Sequence, residues 1–404
     1  MSRRDWTKVA LFAVIVLLLV LASGGVGFAA GWQLSAQAAP SPIPGPNQDA
    51  EQRMRVFWEA WDVIAHDFSG PLDTQKMVYG AINGMVRSLG DPYTLFMEPA
   101  EATVTGQDLE GSFAGIGASV DLVDGRLVIV EPLPGSPAQR AGLLAGDVLL
   151  EVDGKPLDGL DLMQAIALIR GPQGSQVHLL VQRPGTAQPL EIGVTRDKIE
   201  LPTVSSRVLD DGMAYIQITE FNGQAADRVK EALQGLAPKP RAVILDLRGN
   251  PGGYLQASVQ VASQFIASGV IVTEKDRNGR VTPYRAEKGG LATDLPVAVL
   301  VDGNSASAAE IVAGALQDTG RGVLIGQKTF GKGSVQIVHT LSDGSSLRVS
   351  VARWYTPLGH QIDGKGLTPD ITVAPPAGQT AGQDPVLDRA VQYLSEHLPA
   401  PDEK

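Results

Sequence analysis

The sequence predicts an α/β protein in which helices pack on a mixed sheet, and three features carry that prediction. The run Val297-Ala-Val-Leu-Val301 has the length and β-branched content of a buried strand. It turns at Asp302-Gly-Asn-Ser305 and gives way to helical spacing from Ser307. Ala242-Val-Ile-Leu-Asp-Leu247 repeats the order: a strand, the glycine turn Arg248-Gly-Asn-Pro-Gly-Gly253, then a helix from near Tyr254. Ahead of both, from Gly111 to Thr195, short strand-like runs separated by Gly, Pro and Asp form a unit of their own.

Taken from the amino end, Val9 to about Ala30 is apolar and uncharged, long enough to span a bilayer. Arg3, Arg4 and Lys8 precede it and no basic residue follows until Arg53, so the positive-inside rule leaves the amino end cytoplasmic and the remainder outside. A membrane anchor is expected, unless Ala36-Gln-Ala38 is a cleavage site that releases a soluble form; Ser2-Arg-Arg-Asp-Trp6 also weakly matches a twin-arginine export signal. Pro40-Ser-Pro-Ile-Pro-Gly-Pro46 has no periodic apolar face and suits a semi-rigid spacer. Helical patterns follow from about Gln52 to Phe68, carrying Phe57, Trp58 and Trp61, and from Thr74 to Ser88, carrying Met77, Ile82 and Met85. Core packing is the expected role of these side chains, although an exposed aromatic cluster would suit a partner subunit. The same core role is expected of a tail helix from Pro385 to Leu398.

Within the Gly111–Thr195 unit, strands are expected at Gly117-Ala-Ser-Val-Asp121, Leu127-Val-Ile-Val130, Val148-Leu-Leu-Glu-Val152 and Val177-His-Leu-Leu-Val181. A helix fits Leu162 to Ile169, a short one fits Ser136-Pro-Ala-Gln-Arg-Ala-Gly142, and Val152-Asp-Gly-Lys155 is a hairpin-like turn. This order, with Gly146-Asp-Val-Leu-Leu-Glu-Val-Asp-Gly154, resembles a PDZ domain. The resemblance implies that an extended peptide adds to a sheet edge and that backbone amides capture its terminal carboxylate. Gly115, Ile116 and Gly117 match the carboxylate loop in position; Ile166 and Ile169 are candidates for the apolar groove wall, and core packing explains either one equally well.

The chemistry concentrates in Asn304-Ser-Ala-Ser-Ala-Ala-Glu-Ile311 and Thr329-Phe-Gly-Lys-Gly-Ser-Val-Gln336. Ile311, Ala315 and Leu316 fall on one helix face and Gly320 stands where that helix should stop, which puts Ser307 at its N-terminus. Unpaired amides and a positive dipole end suit an oxyanion there, with the Ala308 amide as first donor. A serine hydroxyl needs a base, and lysine serves only when neutral; its reference pKa is about 10.4, so burial must lower it. Lys332 lies between Gly331 and Gly333 with Phe330 and Val335 close by, so its backbone can approach other elements and its amine can be poorly hydrated. Gln336 is placed to hold that amine. Gly252 or Gly253 can supply a second oxyanion donor. A serine nucleophile with a lysine base points to a peptidase.

Simpler readings compete. Ser307-Ala-Ala-Glu310 also matches a helix capping box. Gly326-Gln-Lys-Thr-Phe-Gly-Lys332 matches most of a phosphate-cradling loop, but Gly333 stands where a magnesium ligand belongs and a strand, Ser334 to Leu341, follows instead of a helix. The Arg248–Gly253 segment could be an ordinary tight turn. Of the five histidines, only His339 and His360 are candidates for a serine–histidine arrangement.

Together with Gly90-Asp-Pro-Tyr-Thr94, Arg353-Trp-Tyr-Thr-Pro357 and Gly364-Lys-Gly-Leu-Thr-Pro-Asp-Ile371, these segments resemble the carboxy-terminal processing peptidases, the tail-specific protease family of serine–lysine enzymes. The resemblance implies that Ser307, and not Ser305, is the nucleophile, that Lys332 is the base, that Gln336 orients it and that Asp318 supports activity. Ala309 departs from a third serine that has no assigned catalytic role. The resemblance also implies a crotonase-like topology for the mixed sheet, with the PDZ domain inserted before it and hinged near Gly111 and Lys198. The expected domains are 1–32 (cytoplasmic stub and anchor or signal), 33–50 (linker), 51–110 (N-terminal helical region), 111–197 (PDZ domain), 198–375 (serine peptidase core) and 376–404 (tail with helix).

A net charge of −11 argues against nucleic acid and anionic membrane surfaces as binding partners. Without cysteine there is neither a disulfide nor a thiolate metal site, and no His and carboxylate cluster has metal-ligand spacing, so no cofactor is expected. The expected protein is a membrane-anchored endopeptidase that cuts unfolded or tail-exposed envelope or secreted proteins near their C-termini, with the PDZ domain recognising the tail and gating the site. The alternative is a catalytically silent or partner-activated PDZ scaffold. A homo-oligomer or a regulatory partner is compatible with either.

Overall fold

The computed structural model describes residues 48–237, 239–374 and 383–398. The apolar segment Val9–Ala30, the Ala36-Gln-Ala38 site and the Pro-rich spacer lie outside them. Among the described residues no helix is long and apolar enough to cross a membrane. The chain divides after Lys76 into two compact units.

In the first unit, helix α1 (Gln48–Asp67) carries Phe57, Trp58 and Trp61 with ring centroids 5.0 to 6.2 Å apart. The i, i+4 and i, i+3 spacings of one helix bring Trp61 beside Phe57 and Trp58. Trp58 is 55% exposed, so the aromatics meet edge-on and tilted against one another and do not form the buried core expected of them. In helix α2 (Thr74–Arg87) the buried face is Tyr79 and Val86 with Ile82 beside them, packed on Phe96. Met85 is exposed, because the i, i+3, i+7 stripe starts at Tyr79 and not at Met77.

Strand β1 (Leu95–Met97) and helix α3 (Pro99–Glu110) lead through Gly111, in the left-handed region at φ 83°, into β2 (Ser112–Gly115). A sheet of β3 (Ala118–Val123), β4 (Arg126–Pro132), β5 (Val148–Val152), β6 (Lys155–Pro156), β7 (Gln176–Gln182) and β8 (Leu190–Thr195) follows. Helix α4 (Pro137–Arg140) sits between β4 and β5, and α5 (Leu162–Ile169) between β6 and β7. Leu127, Ile129, Leu149, Val177, Leu179 and Ile169 form this unit's core. Asp153 and Gly154 have φ of 50° and 74°, the geometry of a two-residue hairpin turn. The chain leaves through β9 (Asp197–Glu200), which pairs antiparallel with β2, Ser112 opposite Glu200. Both connections to the inserted domain therefore run side by side in one ribbon.

The remainder contains β10 (Val204–Val208), β11 (Ala214–Ile218), α6 (Ala225–Gly235), β12 (Val243–Asp246), α7 (Leu255–Ala262), β13 (Val270–Asp276) and β14 (Val281–Arg285). Then come β15 (Val297–Val301), α8 (Ala308–Asp318), β16 (Gly322–Gly326), β17 (Ser334–Thr340), β18 (Ser346–Tyr355), β19 (Ile371–Thr372) and α9 (Pro385–His397). Two sheets form, not one. The six-stranded sheet runs β10-β11-β12-β15-β16-β19 and is parallel from β11 onward. The second runs β1-β18-β13-β14, with β17 also on β18, and is antiparallel.

Alternation within β15 explains why the parallel sheet is covered on both faces. Val297, Val299 and Val301 join the core shared with α7 and α8, whereas Ala298 and Leu300 face the core with Val386, Ala390 and Leu394 of α9. Every residue of α8 from Ala308 to Leu316 is buried, not one face alone, because the helix packs on α7, on β16 of one sheet and on β13 of the other.

Candidate active site

Parallel neighbours β12 and β15 each end in a turn, and the two turns interlock. Ser305 belongs to the scaffold: fully buried, its Oγ donates to Leu247 O at 2.8 Å and accepts from Asp302 N–H at 2.9 Å. Asn250, also fully buried, donates from Nδ2 to Ile218 O at 2.8 Å, and its carbonyl accepts Ala306 N–H at 2.9 Å. Ser307 follows, half-buried, with φ 53° and ψ −113°. Such a backbone costs a non-glycine residue about 1–3 kcal/mol and concentrates at functional sites.

Gly252 comes so close to this serine that an added Cβ would stand 2.7 Å from Ser307 Cβ. Its N–H donates to Asn250 Oδ1 at 2.9 Å. The amides of Gly253 and Ala308 have no acceptor among the described residues. Of the two glycines considered as oxyanion donors, Gly253 is thus the one with a free N–H.

Lys332 shares a cavity of about 380 Å³ with Ser307, Gly252, Gly253, Gln336 and Arg348. Its flanking glycines permit close approach as expected: a Cβ on Gly333 would collide with Asp363, and one on Gly331 would stand 2.9 Å from Gly366 N. Burial pushes the Lys332 ammonium below its ordinary value, the Arg348 guanidinium adds to the fall and Glu310 opposes it. Phe330, expected to shelter the amine, is 56% exposed; Lys332 Nζ instead lies 5.5 Å from the centre of the Tyr93 ring, a residue whose role the sequence did not reveal. Among the described residues Nζ has no hydrogen-bond partner. Gln336 lines the cavity but donates from Nε2 to Ser334 Oγ at 2.5 Å. Asp318 does not reach the cavity; it accepts Leu358 N–H at 2.8 Å and lies 3.2 Å from His360 Nδ1, fastening the turn after β18. His339 is exposed on β17, and no histidine lines this cavity.

One buried carboxylate joins the two halves of the site. Glu310 Oε2 accepts Ser307 N–H at 2.9 Å and Lys332 N–H at 2.8 Å, and Oε1 accepts Gly331 N–H at 2.7 Å and Thr329 Oγ1–H at 2.6 Å. The capping-box spacing anticipates only the first bond. Burial pushes the Glu310 carboxyl up, and the four donors pull the other way. Since every partner donates, the arrangement accommodates the ionised carboxylate.

In the PDZ region Ile116, Gly117, Ile166 and Ile169 line one small cavity of about 60 Å³. Gly115 stands apart from it, paired with Asp197 in the β2–β9 ribbon. Ile169 serves both readings, being part of the domain core as well.

Residues 212–373 match the profile of peptidase family S41, residues 128–183 that of the PDZ domain, and residues 21–101 that of the activating protease CtpB N-terminal domain. The carboxy-terminal processing protease CtpA of Bacillus subtilis (strain 168) is 36% identical over 395 residues, covering 96% of this chain and 81% of that protein. The carboxy-terminal processing protease CtpB of the same strain is 35% identical over 369 residues, covering 89% and 77%. Among solved structures, the photosystem II D1 C-terminal processing protease is 31% identical, with a TM-score of 0.48 over 78% of this chain and 86% of that one.

Replacing Glu310 by Gln turns an amide against two N–H donors. The variant is expected to lose about 2 kcal/mol or more in denaturant unfolding, because buried donors are left unpaired. Its kcat should fall roughly a hundredfold with a smaller change in KM, as misplaced catalytic groups do.

Proposed function

The chain belongs to peptidase family S41 as a C-terminal processing serine peptidase with a PDZ domain, and from that premise we propose that Ser307 and Lys332 form its catalytic dyad. The observation that carries this reading is a serine in a strained helix-entry backbone, sharing one cavity with a lysine of lowered pKa and flanked by two free amides. Ser307 Oγ attacks the scissile carbonyl while neutral Lys332 accepts its proton. The Ala308 and Gly253 amides hold the oxyanion. Lys332 passes the proton to the leaving amine, leaving an acyl-enzyme, and then activates the water that releases the new carboxyl end. Gln336 swings from Ser334 to steady the lysine amine, and Asp318 acts at a distance by holding the turn after β18.

A second reading, a latent enzyme aligned by its substrate or a partner, is favoured by one observation: neither Lys332 Nζ nor Gln336 yet bonds toward the serine. The PDZ domain is the proposed aligning element. Gly115, Ile116 and Gly117 would receive the terminal carboxylate of a substrate tail, and Ile166 and Ile169 its apolar side chains. Arg170, directly after α5, stacks on Phe113 at 3.7 Å and donates to Asp108 of α3 at 2.8 Å, and Asp108 lines the catalytic cavity. Groove and dyad are thereby mechanically linked. The substrates on this reading are unfolded or tail-exposed envelope or secreted proteins, met by a single-pass membrane protein whose catalytic part lies outside the cytoplasm. The parallel β11-β12-β15-β16 run supports the crotonase-like topology in this account.

Ser307→Ala and Lys332→Ala are expected to abolish cleavage of an unfolded protein with a free apolar tail, while His339→Ala retains it; an inactive His339→Ala beside an active Lys332→Ala would move the base to histidine. Because Lys332 must be neutral to act, kcat/KM should rise with pH and fall away below the lysine's own pKa, with its midpoint under the ordinary lysine value. A pH–rate profile measures that midpoint.

A further inference from the structure

Ser307 also lines a second cavity, of about 570 Å³, which includes neither Lys332 nor Arg348. One wall is hydrocarbon, from Ala308 and Ile311 of α8, Val335 and Ile337 of β17, and Val351 and Trp354 of β18, while Gln256, Ser334 and Gln336 add neutral polar groups. Bordering both the nucleophile and the two free amides, it is placed to take the side chain of the residue whose carbonyl is attacked. Among its lining residues Glu274 alone is charged.

Glu274 sits on β13, opposite Trp354 in the register, and its Oε2 accepts the Tyr284 hydroxyl at 2.7 Å. Burial, and then this bond, push the Tyr284 phenol up to about 12, so the tyrosine remains a donor across the working pH range. One donor leaves most of the carboxylate's acceptor capacity unused, and no Lys or Arg pairs with it among the described residues. A half-buried carboxylate in a cavity with a large hydrocarbon wall, without a counter-ion among the described residues, is complemented by a long aliphatic stem ending in a cation.

Resting on the assignment of Ser307 as nucleophile, we propose that Glu274 makes this cavity selective for lysine or arginine at the residue immediately before the cut. Apolar residues would enter as well, filling the walls without engaging the carboxylate, whereas an acidic side chain would meet like charge.

The test is kcat/KM of the full chain on fluorogenic peptides with one common apolar tail, differing only before the cut: Lys, Arg, norleucine, Leu or Glu. Lys should exceed its near-isostere norleucine by about tenfold or more, the span that a single well-placed polar contact gives, and Glu should be the poorest. In Glu274→Gln the Lys-to-norleucine ratio should fall toward one, and in Glu274→Lys the Glu peptide should become preferred to the Lys peptide. Equal rates for Lys and norleucine in the parent would overturn the inference, as would an unchanged ratio in Glu274→Gln. In either case, Ser307-dependent cutting of the Leu peptide would leave the peptidase reading intact. If the parent cuts none of the peptides and no unfolded protein, both fail.

Discussion

A carboxylate sealed inside the protein, that of Glu310, ties together the two segments that carry the proposed dyad. Its four donors come from two places that only the tertiary fold brings into contact: the N-terminus of α8 and the Thr329–Lys332 segment that feeds β17. The two main-chain N–H groups that share Oε2 belong to Ser307 and Lys332, the proposed nucleophile and base. Burying one charge is costly, and the cost is offset only when its hydrogen-bonding capacity is filled, as it is here. The first turn of a helix, where the dipole favours negative charge, lowers that cost further. The same arrangement resists slippage, since moving either segment would leave buried N–H groups without partners.

From that tie the rest of the site follows by packing. The six-stranded sheet delivers two turns at the carboxyl ends of adjacent parallel strands, where open α/β sheets collect their sites. Asn250 and Ser305 stitch those turns to each other, so the free amides of Gly253 and Ala308 flank one serine. The antiparallel sheet brings in Lys332, with Tyr93 beneath its amine and Arg348 alongside in the same cavity. Burial works against charge on both groups, lowering the lysine's pKa and raising the glutamate's, but only the glutamate has its hydrogen-bonding capacity filled by donors that favour the carboxylate. The PDZ domain hangs from a two-stranded ribbon, a connection that keeps its entry and exit in register while leaving the domain itself a separate core.

Elements with strong local signals were legible in the sequence. Strands β5 and β15 and helix α5 have the bounds that periodicity and turn residues predict, because apolar runs between Gly, Pro and Asp leave little freedom. The serine segment stood out as a strand, turn and helix start, and the lysine segment by the glycines on either side of Lys332. What was not legible depends on long-range pairing. The sequence suggests capping for Glu310, since three of its four donors lie about twenty residues on and reach it only through the fold. Strands β13 and β14 mix charged and β-branched residues and are recognisable as a hairpin only once β18 covers one edge. The stripe on α2 was misplaced by equating methionine with burial, and Trp58 shows that an aromatic helix face need not enter a core. Choosing between Gly252 and Gly253 required knowing where the Asn250 side chain points.

The most direct measurement is acyl-enzyme trapping: a peptide ester is mixed with the protein, quenched in acid, and the acyl group located by peptide mapping as its rate of appearance is followed. The account predicts acylation at Ser307 alone, slowed at least tenfold in Glu310→Gln, the order expected when a catalytic group loses its positioning. Acylation at Ser305 or elsewhere, or an undiminished rate in Glu310→Gln, would contradict it.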